Sequence, residues 1–335
     1  MAIETIKEPR KSATGPSDYF EPKTGAEYGF KEILYEKKDM IATITINRPH
    51  SYNAYNTPCL KELATAFTDA TWDDAVGVII FTGAGDKAFC TGGDVKEYAE
   101  IYTQKPRDYF KYMGLFAAYI EAILKCGKPV ICRLNGMAVG GGNESHMACD
   151  LSIMADDTYI GQIGTNVGSV ACGGATQWLP IFVGDRRARE ILYLNEKIKA
   201  EKAVAWGLVN QAVPRDQLDD ACAKMAEKLL NKFPECMRYT KTQVNALKEQ
   251  VWYQTIGHAR EWLTLHFTDW EPNEGMQAFV EKRKADYLGL RRVAAEGGSS
   301  ESKYGTYKHT CPSCGVTQLP SLHKFCGMCG AELKV

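Results

Sequence analysis

Nowhere does this chain carry a run of about 18 or more apolar residues, the length that a membrane-spanning helix requires, so no membrane is expected among its partners. Charge of one sign is equally scarce. Forty basic against 41 acidic side chains leave a formal net charge of −1, without any long single-sign block, and this gives no case for nucleic acid. Residues 1–32 mix charge, proline and glycine but lack the apolar stretch of a secretory leader, and they read as a partly ordered extension. There is no internal repeat. What is present, 335 residues that are 45% apolar and 24% charged, is the composition of a soluble globular protein with a substantial core, in two domains or in one with appendages.

The 12 cysteines fall into two populations. Eight (Cys59, Cys90, Cys126, Cys132, Cys149, Cys172, Cys222, Cys236) are scattered, mostly in apolar runs, as buried free thiols of a cytoplasmic protein are. The other four form two Cys-x-x-Cys-Gly knuckles, Cys311-Pro312-Ser313-Cys314-Gly315 and Cys326-Gly327-Met328-Cys329-Gly330. Four thiolates so spaced can enclose a tetrahedral ion, and the glycines permit the tight turns. Structural zinc is the favoured occupant and iron the alternative, since sulfur ligation suits both. A module this small would fold by binding its metal. It could brace an oligomer or bind a partner.

Along the chain, residues 33–48 read as a hairpin broken at Lys37-Lys38-Asp39, and 57–74 as a helix. Strands follow at 76–81, 129–134 and 151–155, alternating with helical stretches at 109–124 and after residue 140. That alternation predicts parallel βαβ units, hence an α/β core. From residue 186 the pattern is helical almost without a break, at 187–194, 200–206, 218–232, 237–249, 252–267 and 276–287. After Val293 an Ala/Glu/Gly/Ser-rich stretch reads as a linker.

Two of the strands run into glycine turns that stand about fifty residues apart, Phe89-Cys90-Thr91-Gly92-Gly93-Asp94 and Gly140-Gly141-Gly142-Asn143-Glu144. Glycine lets backbone N–H groups approach a ligand, and a helix N-terminus favours negative charge. Two such groups converging on one oxygen would form an oxyanion hole. Either turn alone serves equally well as a plain strand-to-helix connection. Glu144 lies one helical turn past Gly141 and shares its face. Left to itself it reads as a carboxylate complementing the helix dipole. His146 points to another face and reads as structural, while Asp94 reads as a helix N-cap. Cys90 and Cys172 have no histidine partner in view and read as packing residues.

Taken together, the two turns resemble those of the crotonase (enoyl-CoA hydratase/isomerase) superfamily. The segments 47–54, 87–94, 128–131, 135–144, 207–210 and 274–284 carry the resemblance, in order. It implies a crotonase-type ββα spiral core over 33–185 and a helical trimerisation and CoA-binding region over 186–290. The extension over 1–32, a linker over 291–308 and a zinc ribbon over 309–335 complete the expected organisation. It further implies an acyl-CoA thioester substrate, a homotrimer or hexamer, and an oxyanion hole made by the N–H groups of Gly93 and Gly141, each donor worth roughly 3–4 kcal/mol. Thr91, Val95, Phe279 and Lys282 become CoA contacts, the last two reaching a neighbouring subunit; by itself Lys282-Arg283-Lys284 reads only as a solvated helix end.

One departure decides the chemistry. Hydratases of the superfamily pair the glutamate at the position of Glu144 with a second one, and this chain has Gly164 there. Two-carboxylate water addition is then closed in its familiar form. Glycine at that position is similar to the branch that holds ring-closing naphthoate synthases and ring-opening hydrolases. Residues 81–93, 96–100, 128–133, 147–150, 168–169, 173–176 and 179–180 resemble the ring openers, whereas Asp94, His146 and Ile163-Gly164-Thr165-Asn166 depart from them. The expectation is hydrolytic C–C cleavage of a cyclic β-oxoacyl-CoA. An enoyl-CoA hydratase or isomerase, and a catalytically silent scaffold with a zinc interaction module, are the alternatives.

Overall fold

The computed structural model describes residues 21–103, 105–298, 307–317, 319–320 and 322–333. Residues 1–20 of the extension and 299–306 of the expected linker lie outside them. A short helix α1 (Gly25–Tyr28) precedes the hairpin of β1 (Ile33–Lys38) and β2 (Ile41–Ile46). Asp39 and Met40 both take positive φ at its tip, as a turn matched to the twist of the strands requires. Helix α2 (Thr57–Trp72) is opened by Asn56, whose side chain accepts from the Cys59 N–H at 2.9 Å.

From here the chain winds in a spiral, laying one strand in each of two sheets before it turns into a helix. The first winding is β3 (Val78–Gly83), β4 (Ala88–Cys90) and α3 (Val95–Glu97), which runs on through a π-helical turn, Tyr98–Tyr102, to α4 (Pro106–Leu124). The second is β5 (Val130–Leu134), β6 (Met137–Val139) and α5 (Gly141–Ala148); the third is β7 (Leu151–Ala155), β8 (Tyr159–Gly161) and α6 (Ala175–Val183). Helix α7 (Asp185–Leu194), β9 (Ile198–Lys199), α8 (Ala200–Ala205), β10 (Gln211–Val213) and α9 (Leu218–Leu230) follow. The larger sheet is ordered β1-β2-β3-β5-β7-β10 and the smaller β4-β6-β8-β9. Pairing is parallel except for β1–β2 and β8–β9. Strands β3, β5 and β7 are apolar on both faces because both are covered. One face meets the main core, and the other packs against Leu218, Cys222 and Ala226 of α9.

The C-terminal part is less uniformly helical than its composition suggests. Strands β9 and β10 interrupt it, and β10 joins the larger sheet beside β7. The helices expected at 237–249 and 252–267 are one 33-residue helix, α10 (Pro234–His266), since residues 249–252 contain neither glycine nor proline to stop it. The helix expected at 276–287 is instead split. Helix α11 (Trp270–Val280) ends before Lys282, which takes φ +56°, and α12 (Tyr287–Ala295) reaches into the expected linker. Strands β11 (Tyr307–His309) and β12 (Leu319–Pro320) pair antiparallel in the cysteine-knuckle segment. Among the described residues no helix is long and apolar enough to cross a membrane.

Candidate active site

Because β4 and β6 are parallel neighbours, the turns that leave their C-terminal ends must lie side by side. They touch: a Cβ built on Gly92 would stand 2.8 Å from the Gly141 nitrogen. Gly92 and Gly140 take φ +89° and +57°, a region that side chains strain to reach. Gly93 and Gly141 are glycine for another reason. A Cβ on Gly93 would fall 1.7 Å from the Tyr98 hydroxyl oxygen, and one on Gly141 would fall 1.7 Å from that of Tyr55.

Both turns offer a free N–H. Tyr55 and Gly93 form a parallel bridge in which the Tyr55 N–H donates to the Gly92 carbonyl (2.9 Å) and the Asp94 N–H to that of Tyr55 (3.1 Å). The N–H of Gly93 itself therefore faces away from the bridge. Gly141 is the first residue of α5, where an N–H has no partner within the helix. Among the described residues neither group has an acceptor. Both glycines line a cleft whose remaining wall is largely aromatic and aliphatic, with Tyr109, Met113, Phe116 and Leu263 on it.

Glu144 stands on the same wall, 5% exposed. Burial pushes its carboxyl up to about 7, and the N–H groups of Ala175 (3.2 Å) and Gly173 only partly offset that. Among the described residues it is the only carboxylate on the cleft. A group poised near neutrality can both take and return a proton. Gly164 also lines the cleft, and a Cβ there would stand 2.9 Å from the Ser169 carbonyl, so a second side chain could not be added without moving the loop.

The neighbouring candidates are committed elsewhere. Buried His146 holds Asn143 (3.2 Å), and burial, with Lys248 nearby, drives its pKa down to about 3, which leaves it neutral. Asp94 caps α3, accepting from the Lys96 N–H (3.1 Å), and pairs with Arg48 (2.9 Å). Burial pushes the Cys90 thiol up to about 12 and raises that of Cys172 further, so neither is a nucleophile.

Residues 36–290 match the enoyl-CoA hydratase/isomerase family. The chain belongs to that family. Its ββα spiral is the crotonase fold, seen also in an enoyl-CoA hydratase/isomerase from Xanthobacter autotrophicus Py2, which is 28% identical with a TM-score of 0.66 over 80% of this chain and 94% of that one. Two curated relatives carry the name 6-oxocyclohex-1-ene-1-carbonyl-CoA hydrolase. That of Geobacter metallireducens is 35% identical over 76% of this chain and 81% of its own length. That of Thauera aromatica is 34% identical over 76% and 82%.

In this member of the enoyl-CoA hydratase/isomerase family the cleft brings together Gly93, Gly141, Glu144, Thr91 and Val95. Phe279 and Lys282 are not on it; both are exposed, at and just beyond the end of α11. Reading the sequence missed the tyrosines. Tyr55, Tyr98, Tyr109 and Tyr112 all line the cleft, and the only advance signal was the helical spacing of Tyr98, Tyr102, Tyr109 and Tyr112.

The four knuckle cysteines converge separately. The sulfur atoms of Cys311, Cys314, Cys326 and Cys329 lie within 4.8 Å of one another, with 3.5 Å from Cys311 to Cys329 and 3.7 Å from Cys314 to Cys326. Sulfurs bound at about 2.3 Å around a tetrahedral ion stand about 3.8 Å apart. The donor set fits such an ion. Of the eight scattered cysteines seven are buried, and Cys236 is exposed.

Proposed function

We propose that this protein is a hydrolase that opens a cyclic β-oxoacyl-CoA by C–C cleavage, acting on 6-oxocyclohex-1-ene-1-carbonyl-CoA or a closely related ring. One observation carries the reading: among the described residues a lone buried carboxylate, Glu144, lines the same cleft as two unpaired N–H groups, and a Cβ at Gly164 would press against the Ser169 carbonyl. The names and the extent of the two relatives support it.

The ionised Glu144 takes a proton from water, and the resulting hydroxide attacks the ring carbonyl β to the thioester. The bond between that carbon and Cα breaks, and its electron pair becomes a thioester enolate whose oxygen accepts hydrogen bonds from the Gly93 and Gly141 N–H groups. Protonated Glu144 returns its proton to Cα. The product is a linear acyl-CoA with a new carboxylate. Where the ring carries a conjugated double bond, Glu144 first deprotonates a water that adds to the β-carbon and then returns that proton to Cα of the resulting thioester enolate, and cleavage follows.

Thr91 and Val95 flank the thioester arm of CoA, and Phe279 and Lys282 reach the CoA of a neighbouring copy in a homotrimer or hexamer. Exposed Phe233, Val244, Leu247 and Leu265 along α10 give that assembly an apolar face. Zinc in the four-cysteine cluster is structural, and the protein works in the cytoplasm.

Mass spectrometry of products formed in ¹⁸O-labelled water tests the reaction. A linear dicarboxyl product labelled in the new carboxylate is expected. A cyclic hydroxyacyl-CoA alone would make the protein a hydratase, and turnover unchanged by Glu144→Gln would remove the carboxylate from the chemistry.

A further inference from the structure

Four phenols border the cleft, and their protons can be counted. Each hydroxyl has one proton to donate. Tyr98 and Tyr112 share a single hydrogen bond at 2.8 Å, which uses one of their two. Neither hydroxyl has another partner among the described residues, so one phenolic proton of the pair is left over at the cleft. Burial raises both phenols well above their ordinary range. Either hydroxyl can be the donor within the pair, and it is the Tyr98 oxygen that stands against Gly93, so with Tyr112 donating the free proton lies on Tyr98. A hydroxyl that accepts while it donates is the stronger donor.

Its position is fixed from several sides. Tyr98 opens a π-helical turn, a local departure that recurs at functional sites. Its carbonyl accepts from both the N–H (2.8 Å) and the hydroxyl (2.9 Å) of Thr103. Its ring packs edge-on against those of Tyr112, Tyr109 and Phe267. The hydroxyl stands against Gly93, one of the two N–H donors. A thioester has one oxygen for that pair of N–H groups, so a third donor beside them calls for a second oxygen on the acyl group.

We propose that Tyr98, held by Tyr112, donates its hydrogen bond to the ring ketone oxygen of the substrate and to the alkoxide formed there when water adds. Tyr98 keeps its proton throughout, because Glu144 alone cycles the proton of the attacking water. In this site the second carboxylate of two-acid chemistry is replaced by a neutral donor that selects β-oxoacyl rings. This rests on the ring-opening reading above.

The test separates the two. In a Glu144→Gln background, which blocks turnover, calorimetry measures the affinities of 2-oxocyclohexane-1-carbonyl-CoA and cyclohexane-1-carbonyl-CoA. Tyr98→Phe is expected to cut the preference for the oxo ligand about tenfold while leaving the deoxo ligand unaffected, which also shows an intact site. With Glu144 present, Tyr98→Phe should lower kcat for ring opening about 10²–10³-fold, the cost of losing one oxyanion donor. Tyr112→Phe, which disturbs only the orientation of Tyr98, should cost less. An oxo preference and a kcat both unchanged in Tyr98→Phe would overturn the inference. Absence of ring opening by the unaltered protein would overturn the functional reading instead, and the calorimetric preference would still judge Tyr98.

Discussion

Glu144 is kept in a cleft that penalises its charge. Its carboxyl titrates near 7 in the folded chain, against an ordinary value of 4.5. Between those two pH values the native state holds a proton that the unfolded chain has released, so stability falls as pH rises through the window. Once both forms are ionised the cost is about 3 kcal/mol. Glu144→Gln has no charge to bury. We expect it to raise the thermal midpoint at pH 8 and to have little effect at pH 5, while kcat drops by about 10²–10⁴-fold. In the unaltered protein the acidic limb of kcat should rise through pH 7 as the base ionises. A variant equally stabilised at both pH values would mean that the carboxylate is not strained by burial. Glu144 was visible in the sequence as a carboxylate one turn past a glycine, but its shifted proton affinity was not, because that depends on Phe116, Cys172 and Gly173 closing over it from distant segments.

Helix α5 carries the Gly141 N–H at one end and stops at Ala148 at the other. Its last carbonyls are met by a buried cation: Lys248 of α10 donates to Met147 (2.7 Å) and Ala148 (3.4 Å). An ammonium at this negative pole offsets both the helix dipole and the unpaired carbonyls. Lys248→Met should therefore destabilise the fold by about 2–3 kcal/mol, the worth of hydrogen bonds to a charged group, read as a lower denaturant midpoint. An unchanged midpoint would mean that water replaces the ammonium. The same elements show what a sequence discloses. The spiral strands were legible because β3, β5 and β7 are continuous apolar runs, and the glycine turns because few residues tolerate their backbone. Strand β10 was not, since three residues carry no period. The break after α11 was missed because the positive φ falls on Lys282 and not on a glycine. The paired phenols of Tyr98 and Tyr112 stand 14 residues apart on two separate elements, the π-turn and α4, so sequence spacing did not disclose the 2.8 Å contact of their hydroxyls.

At the scale of the whole molecule, the candidate catalytic residues and the four clustered cysteines are divided along the chain. Every residue that lines the cleft lies between Tyr55 and Met276, and all four clustered thiols lie between Cys311 and Cys329. Among its described residues the cysteine-knuckle segment buries only Cys311, Cys326 and Leu333 as its core, too little apolar surface to fold without a further tie. A metal held by the four thiolates would supply what that core lacks. Replacing Cys314 and Cys329 by serine should abolish zinc binding, read as metal content per chain by mass spectrometry, and should expose residues 307–333 to protease. No group of the cleft is touched, so turnover per folded core should stay within about twofold, because sites that share no residue or partner act independently. If turnover instead falls together with metal content, the ribbon braces the assembly through which Phe279 and Lys282 would reach a neighbour's CoA. The subunit number measured on the same sample, reduced in that case and unchanged otherwise, decides between a ribbon that folds for itself and one that holds the oligomer together.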